Sequence, residues 1–192
     1  MDREVLEREV RTLCEAGDHA RAATALLRGY GPELYGFVAA LHHGDGDDVF
    51  GELSMDLWRG LPGFQWQSSL RTWAYTLARN ASHRSRRKIR REVPLDDQVA
   101  ELAAEIRTKT RSFLRTEVKN KFAALRASLP VDDQELLILR VDRGLAWNDL
   151  AIALADEPLE GDAITREAAR LRKRFSVLKE KLLEAGRREG LV

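Results

Sequence analysis

Apolar residues recur along most of this chain at the three- and four-residue spacing that places them on one face of an α-helix. Sustained period-two alternation is absent, and so is an Asn-Gly or Asp-Gly turn between β-branched runs. The sequence therefore predicts an all-α fold. The stripes are formed by Leu6, Val10 and Leu13; by Leu34, Phe37, Val38 and Leu41; by Leu53, Leu57 and Leu61; by Leu70, Trp73, Ala74, Leu77 and Ala81; by Val118, Phe122, Leu125 and Leu129; by Trp147, Leu150, Ala151 and Leu154; and by Ile164, Ala168, Leu171, Phe175, Leu178 and Leu182.

Breaks in this periodicity predict two small helical domains. Residues 92–116 are acidic and then polar, with weak periodicity, which favours a linker that holds no more than one or two helical turns. We expect an N-terminal helix over 1–17, a domain over 18–92, a linker over 93–116 and a second domain over 117–188. Each domain has only about 70 residues, a size that is marginally stable alone.

Composition excludes several classes of protein. The longest apolar run, Leu150 to Ala155, is six residues, far below the ~20 that a membrane span needs. The charged start of the chain does not resemble a signal peptide. A single cysteine, Cys14, excludes an intrachain disulfide and a cysteine-rich zinc site, and an apolar packing role for it is favoured over redox sensing. We expect a soluble, cytoplasmic protein without a membrane partner.

Charges of opposite sign are sorted into blocks, although 32 basic and 31 acidic residues leave a net charge of only +1. Residues 45–56 hold five acids and no base, whereas residues 71–91 hold eight bases and no acid. A second basic block, residues 166–181, follows an acidic one at 156–162. Two separate basic blocks indicate two elements that face nucleic acid.

The first basic block is predicted to be a helix that Ser68 or Ser69 caps and that runs to about Arg91. Its cations and one aromatic ring share an edge that we expect to face solvent, where they would meet phosphates and an unstacked base. A solvated helix end, favoured by the helix dipole, is the alternative. The edge consists of Arg71, Tyr75, Arg79, Ser82 and Arg86.

Two features precede this helix. The aromatic residues of the segment Phe64–Gln67 could either pack in the core or enclose an extruded base. Upstream, Asp48, Glu52 and Asp56 are spaced i, i+4, i+8 on a predicted helix, where like charges repel. This acidic stripe is interpreted either as a docking site for a basic partner or as a solvated face.

The C-terminal half holds a candidate helix-turn-helix. Asp132 or Asp133 is expected to cap a helix that ends at Arg143, and a short helix follows over 147–155. A long basic helix begins near Ala163. Its face opposite the apolar stripe carries Arg166, Arg170 and Lys173. A buried back and an exposed basic face are what major-groove binding requires, and a plain bundle helix is the alternative.

These segments, in this order, resemble the bacterial sigma factors of RNA polymerase, the sigma-70 family, and within it the extracytoplasmic-function (ECF) group. Residues 47–53 and 57–59 are similar to region 2.2, and residues 68–80, which read Ser-Ser-Leu-Arg-Thr-Trp-Ala-Tyr-Thr-Leu-Ala-Arg-Asn, closely match region 2.3. The basic run 84–91 occupies region 2.4. Residues 129–175 contain segments similar to region 4 and its recognition helix.

The resemblance implies a protein that binds core RNA polymerase, melts the promoter −10 element and contacts the −35 element. The β′ clamp helices and the β subunit, together with promoter DNA, are the implied partners, an anti-sigma factor is left open, and the nucleoid is the implied location. For polymerase binding the implied residues are Asp48, Glu52, Asp56 and Trp58; for the −10 element, Phe64, Trp66, Arg71, Tyr75, Arg79, Asn80, Arg86 and Arg87; for the −35 element, Thr165, Arg166, Arg170 and Lys173.

Two other function classes are alternatives to this one. A helix-turn-helix regulator that never binds polymerase would need neither the acidic stripe nor the first basic helix. An enzyme is disfavoured because phosphate-loop, nucleophile-elbow and zinc-protease motifs are missing. His42 and His43 precede Asp45, Asp47 and Asp48, but the EF-hand pattern fails at 49–50, so neither metal nor cofactor is expected.

Overall fold

The computed structural model describes residues 2–42, 45–87, 97–111, 124 and 126–188. Within these ranges the chain forms helices and turns and no β-strand, which confirms the all-α fold. The α-helices of the described residues are α1 (Arg3–Glu15), α2 (His19–Leu41), α3 (Gly46–Gly60), α4 (Leu70–Arg86), α5 (Asp97–Arg111), α6 (Val131–Leu137), α7 (Trp147–Ala153) and α8 (Asp162–Arg188). A 3₁₀ turn, Leu61–Gly63, follows α3, and a π-helical turn, Ile138–Asp142, continues α6.

The chain divides into two compact units, Met1–Leu114 and Arg115–Val192. None of the described helices is long and apolar enough to cross a membrane. Several sequence predictions concern residues outside the described ranges. These are His43, the basic run 88–91, and the stripe positions Val118, Phe122 and Leu125.

Helix α2 is the centre of the first unit and packs against α1, α3, α4 and α5. It starts at an N-cap, Asp18, whose carboxylate accepts a hydrogen bond from the Arg21 backbone N–H. Apolar residues on several sides of α2 are completely buried, because four helices surround it. They include Leu26, Leu27, Leu34, Phe37 and Val38.

The predicted linker is wrong for residues 97–111. This segment forms the 15-residue helix α5, which packs on α2 and α3. Its buried face is Val99, Ala103 and Ile106. The stripe is weak in the sequence because one of its members is alanine, and close approach replaces side-chain bulk: a Cβ at Gly31 would lie only 2.6 Å from the Ile106 Cδ1. The first unit therefore extends beyond the residue-92 boundary that the sequence suggested.

The second unit packs α8 against α6 and α7. Its core includes Leu136, Ile138, Leu139, Leu145, Leu150, Ala151, Ala168, Leu171 and Leu178. Gly144 adopts a φ of +67° in the turn before α7, a conformation that glycine tolerates without strain.

The predicted cap of α6 is wrong. Pro130 occupies the N-cap position without a side-chain cap, and Asp132 and Asp133 lie inside the first helical turn. The Asp133 carboxylate instead accepts a hydrogen bond from Arg174 Nε of α8 at 2.6 Å. The Asp133 carboxylate therefore makes a tertiary contact with α8 and does not cap its own helix.

Candidate nucleic-acid interface

Helix α4 begins as the sequence predicts at one of its two candidate caps. Ser69 is the N-cap, and its Oγ accepts a hydrogen bond from the Thr72 backbone N–H at 3.0 Å. The helix ends at Arg86 rather than near Arg91, and Arg87 follows as its C-cap. Three of its C-terminal residues are basic: His83, Arg84 and Arg86. This end of the helix concentrates cations where the helix dipole favours them.

The prediction that the Arg71 edge of α4 faces solvent is wrong. Tyr75 is completely buried, Arg71 and Arg79 are each 7% exposed, and Ser82 is also buried. Only Arg86 of this set is half-buried. The buried arc is wider than the apolar stripe because both α2 and α3 pack on α4. Polar residues at the border of the stripe are therefore enclosed with it.

Arg71 is held inside the first unit by Glu33 of α2. Its Nε and Nη2 donate to the two Glu33 carboxylate oxygens at 2.6 and 2.8 Å, a bidentate geometry. Its guanidinium also lies 5.4 Å from the centroid of the Tyr75 ring. Burial by itself lowers the pKa of Arg71, but the hydrogen bond and charge of Glu33 outweigh it and raise the pKa. This cation is thus permanently charged and internally paired.

Glu7 connects α1 to the same network. Its Oε1 accepts from the Tyr30 hydroxyl at 3.2 Å and from the Arg71 backbone N–H at 3.4 Å. Burial, followed by the negative charge of Glu7, raises the pKa of Tyr30 well above its ordinary value. Three helices, α1, α2 and α4, are thereby joined through polar groups beneath the basic helix.

The aromatic segment Phe64–Gln67 is partly packed and partly open. The Phe64 ring stacks on Trp73 of α4, with centroids 4.8 Å apart and an interplanar angle of 25°. The ring centroid of Trp66 lies 4.8 Å from that of Phe64, and Trp66 is half-buried. Its backbone φ is +59°, and the guanidinium of Arg11 in α1 lies 5.3 Å from its ring centroid. Phe64 thus packs against α4, which was one of the two predicted alternatives, while part of Trp66 is exposed.

Polar residues beside this segment are exposed. Gln65 and Gln67 are exposed and hydrogen-bonded to each other at 3.2 Å. Asn80 on α4 and Arg87 at its end are also exposed. Of the −10 residues implied by the resemblance, Asn80 and Arg87 are therefore exposed, and Phe64, Trp66 and Arg86 are half-buried.

Asp56, the last acid of the α3 stripe, has a basic partner inside the protein. Asp56 forms an ion pair with Arg84 of α4, and each side chain is 23% exposed. Asp48 is exposed, and Glu52 and Trp58 are half-buried. The Arg84–Asp56 pair joins residues 28 positions apart. Sequence spacing carries no signal for it, and the sequence reasoning missed it for that reason.

The exposed face of α8 matches the predicted arrangement. Ala168, Leu171 and Leu178 are buried on one side, and Thr165, Arg166, Arg170 and Lys173 are exposed. Arg170 donates from Nε and Nη2 to the Glu167 carboxylate at 2.8 and 2.7 Å. The hydrogen bond and charge of Glu167 raise the pKa of Arg170. Arg166 and Lys173 share this face in the second unit.

A second cationic cluster of that unit was not predicted. The guanidinium carbons of Arg140 and Arg172 lie 4.6 and 5.6 Å from the Trp147 ring centroid. Phe175 meets the same ring edge-on at 5.7 Å. Trp147 and Phe175 were predicted only as members of apolar stripes. The cations that flank Trp147 come from different elements, so periodicity within one helix does not reveal them.

Comparison with known proteins bears on the first unit in particular. The Sigma-70 region 2 family matches residues 26–92, a segment that contains most of α2 and all of α3 and α4. The chain is 27% identical over 164 residues to the RNA polymerase sigma-H factor of Pseudomonas aeruginosa, an alignment that covers 80% of this chain and 82% of that protein. No solved structure matches significantly. The chain is thus similar to Sigma-70 region 2 over residues 26–92 and to a sigma factor over most of its length.

Proposed function

We propose that this protein is a sigma factor of the ECF group that directs core RNA polymerase to promoter DNA and opens the −10 element. The observation that carries the proposal is the Sigma-70 region 2 match over residues 26–92. That segment contains the acidic stripe of α3, the aromatic segment 64–67 and the basic end of α4. Its role is regulatory rather than enzymatic, and its setting is the cytoplasm, at the nucleoid.

Polymerase docking is assigned to α3, with the β′ clamp helices as its partner and with further contacts to the β subunit. Asp48 is exposed, and Glu52 lies one turn further along the same helix. Trp58 adds a half-buried ring to this surface. Asp56 contributes less than the sequence suggested, because Arg84 already neutralises it. Charge complementarity of this kind speeds association and selects the partner.

Charge reversal tests the docking assignment. We expect Asp48→Lys/Glu52→Lys to lose most binding in a pull-down with core polymerase, because two attractive charges become repulsive. The matched control is Glu101→Lys, which reverses an exposed acid on α5 of the same unit. Asp56 is left intact so that its ion pair with Arg84 is kept. Retention of the double variant by core polymerase at the wild-type level would contradict docking and favour a helix-turn-helix regulator that acts without polymerase.

Opening of the −10 element is assigned to the aromatic segment and the exposed residues near it. A flat indole ring can stack on an unpaired base, and the exposed side chains of Asn80 and Arg87 can contact its edge and backbone. Arg71, Tyr75 and Arg79 act differently from the sequence prediction: they shape α4 from within the unit, since they are buried. Arg86 is half-buried and supplies charge at the helix end.

Permanganate footprinting tests this step. We expect Trp66→Ala and Asn80→Ala to lower the reactivity of promoter thymines in the complex with core polymerase, while core affinity is retained. Trp66→Phe is the control, because it keeps a flat ring. Normal thymine reactivity in both alanine variants would mean that the segment has only a packing role.

Binding of the −35 element is assigned to α8 of the second unit, as the recognition helix of a helix-turn-helix. Thr165, Arg166 and Arg170 lie in the first turns of the helix, where base edges are nearest. Lys173 lies about one turn after Arg170. Loss of a bidentate arginine–guanine contact costs ~1–3 kcal/mol and relaxes one position, whereas loss of a phosphate contact weakens all sequences alike. Arg166 is the base reader in this assignment and Lys173 the phosphate contact.

A series of −35 mutant promoters separates these roles. We expect Arg166→Ala to lose affinity most for the preferred sequence and Lys173→Ala to lose affinity equally for all. Lys179→Ala, at an exposed position further along α8, is the control. A uniform loss for Arg166→Ala would refute base reading, and unchanged binding in Arg166→Ala, Arg170→Ala and Lys173→Ala would refute the helix assignment.

An anti-sigma factor is a further candidate partner of the same protein.

A further inference from the structure

We propose that α1 is part of the base-binding apparatus, and that Arg11 is a positioning residue that holds the Trp66 ring as a stacking platform for an unpaired base. The inference rests on the proposed role of the segment 64–67 in −10 opening. It assigns a function to a helix that lies outside the region matched by the Sigma-70 region 2 family, residues 26–92.

Trp66 has a backbone conformation that requires support. Its φ of +59° lies in the left-handed region, and among the described residues it is the one non-glycine with a positive φ. Such a conformation costs on the order of 1–3 kcal/mol and persists only where neighbouring groups impose it. A bulky indole here, rather than a glycine, indicates that the side chain is placed for a purpose.

Two side chains, Phe64 and Arg11, contact the Trp66 ring. The ring centroids of Phe64 and Trp66 are 4.8 Å apart, and the Phe64 ring is itself stacked on Trp73 of α4. Arg11 of α1 places its guanidinium 5.3 Å from the Trp66 centroid, within the range of a cation–π contact. The aromatic residues tie the ring to α4, and Arg11 ties it to α1.

Arg11 makes a second contact, within its own helix. Its Nε donates to the Glu15 carboxylate one turn along α1, at 3.1 Å. The helix is fixed to the body of the unit by Leu6 and Val10, which are buried, and by the Glu7 hydrogen bonds to α2 and α4. A ring that is already placed before a base binds loses less freedom on binding, which is how preorganisation raises affinity.

Part of the Trp66 side chain is also exposed to solvent. Trp66 is half-buried, and its neighbours Gln65 and Gln67 are exposed. The ligand that fits is a single-stranded nucleotide rather than a duplex base pair, because stacked neighbouring pairs cover both faces of a base inside a duplex, whereas an unstacked base offers a face to the indole.

The test uses the full-length chain and a fluorescein-labelled single-stranded DNA oligonucleotide, with binding followed by anisotropy. We expect Arg11→Ala to weaken binding about two- to five-fold, the size of an exposed cation–π contact, and Arg11→Lys to recover part of the loss. Trp66→Ala should weaken binding about five-fold or more. In the Trp66→Ala background, Arg11→Ala should have little further effect, because Arg11 acts through the ring.

A charge-matched control and a spectroscopic readout complete the test. Arg8→Ala removes a cation from the same helix, where Arg8 is bonded to its own helix through the Glu4 carbonyl oxygen. It should change affinity less than Arg11→Ala does. In ¹H–¹⁵N spectra, the Trp66 indole resonance, assigned with Trp66→Phe, should shift or broaden in Arg11→Ala and stay near its original position in Arg11→Lys and Arg8→Ala.

Three outcomes would overturn the proposal. If Trp66→Ala weakens DNA binding but Arg11→Ala leaves both binding and the indole resonance unchanged, the platform stands without Arg11. If Arg11→Ala strengthens binding, Arg11 blocks the ring instead of presenting it. If Trp66→Ala has no effect on binding, the platform itself is wrong, whereas the polymerase pull-down still decides the sigma-factor assignment independently.

Discussion

Arg71 illustrates how the environment of a single residue determines what its charge does. Its guanidinium lies within the first unit, where the bidentate contact with Glu33 compensates for lost hydration. Side-chain exposure is 9% for Arg71 and 21% for Glu33, so neither group is well screened by water. Removal of one partner would leave the other charge buried and unpaired, which costs far more than the pair itself contributes.

We therefore expect Arg71→Met to lower the free energy of unfolding by roughly 3–5 kcal/mol, as measured by urea denaturation followed by circular dichroism. Replacement of both partners, Glu33→Leu/Arg71→Met, should restore most of the loss, because no uncompensated charge remains. If instead Arg71→Met unfolds like the wild type and only its DNA affinity falls, then Arg71 is a nucleic-acid contact and the buried pair is energetically silent.

Tyr30 predicts a loss of stability at alkaline pH. Burial and then the negative charge of Glu7 raise its pKa in the folded protein, whereas in the unfolded chain the phenol ionises near its ordinary value of about 10. The stabilisation is fully present below that ordinary pKa and is lost as the pH rises above it, because the unfolded state then releases a proton that the folded state retains. Urea unfolding of the wild type and Tyr30→Phe from pH 8 to pH 10.5 checks this. The variant should lose less stability over this range, and parallel curves would contradict the assignment.

At the scale of elements, α5 shows that a helix can be specified with little hydrophobic signal. Its buried face is short, and Ala103 supplies hardly any apolar volume. It nevertheless packs on α2 and α3, and the Arg107 guanidinium donates to the Asp47 carbonyl oxygen at 3.4 Å. Ile106 fits over Gly31 of α2, where any larger residue would collide with it. The helix therefore belongs to the first unit and completes the cover of α2.

We expect Ile106→Ala to lower the free energy of unfolding by about 2–4 kcal/mol, because Ile106 is only 6% exposed and its loss leaves a cavity. The control is Thr108→Ala, two residues along α5, where the side chain is exposed and the cost should be small. Thermal denaturation of the two variants in parallel measures the difference. Equal melting temperatures would mean that α5 adds little to the core.

At the scale of the whole molecule, the two units each have a separate core. The first carries the acidic face of α3 and the basic end of α4, and the second carries the basic face of α8. Units with separate cores are expected to fold independently. The boundary that the structure gives, after Leu114, includes α5 in the first unit.

We therefore expect a fragment of residues 1–114 to unfold cooperatively on its own, with a melting temperature near that of the same unit in the full chain. A fragment of residues 1–92 lacks α5 and should melt at a lower temperature. Circular dichroism of the two fragments provides the measurement. If the shorter fragment is equally stable, the boundary near residue 92 that the sequence suggested is the better one.

Local pattern was sufficient for the all-α class, a serine cap of α4 at residue 68 or 69 and the exposed cationic face of α8, because each depends on residues within a few turns of one another. The sequence of residues 68–80 also indicated the similarity to Sigma-70 region 2 that the family match reports for residues 26–92. Three features could not be predicted in this way: the burial of Arg71 and Tyr75, the Arg84–Asp56 pair and the contact between Arg11 and Trp66. Each brings together helices that are distant in the chain, and helical spacing states which residues share a face but not how much of that face a neighbouring helix covers. Charge alone therefore placed Arg71 on the surface, whereas packing of α2 and α3 around α4 enclosed it with its partner Glu33.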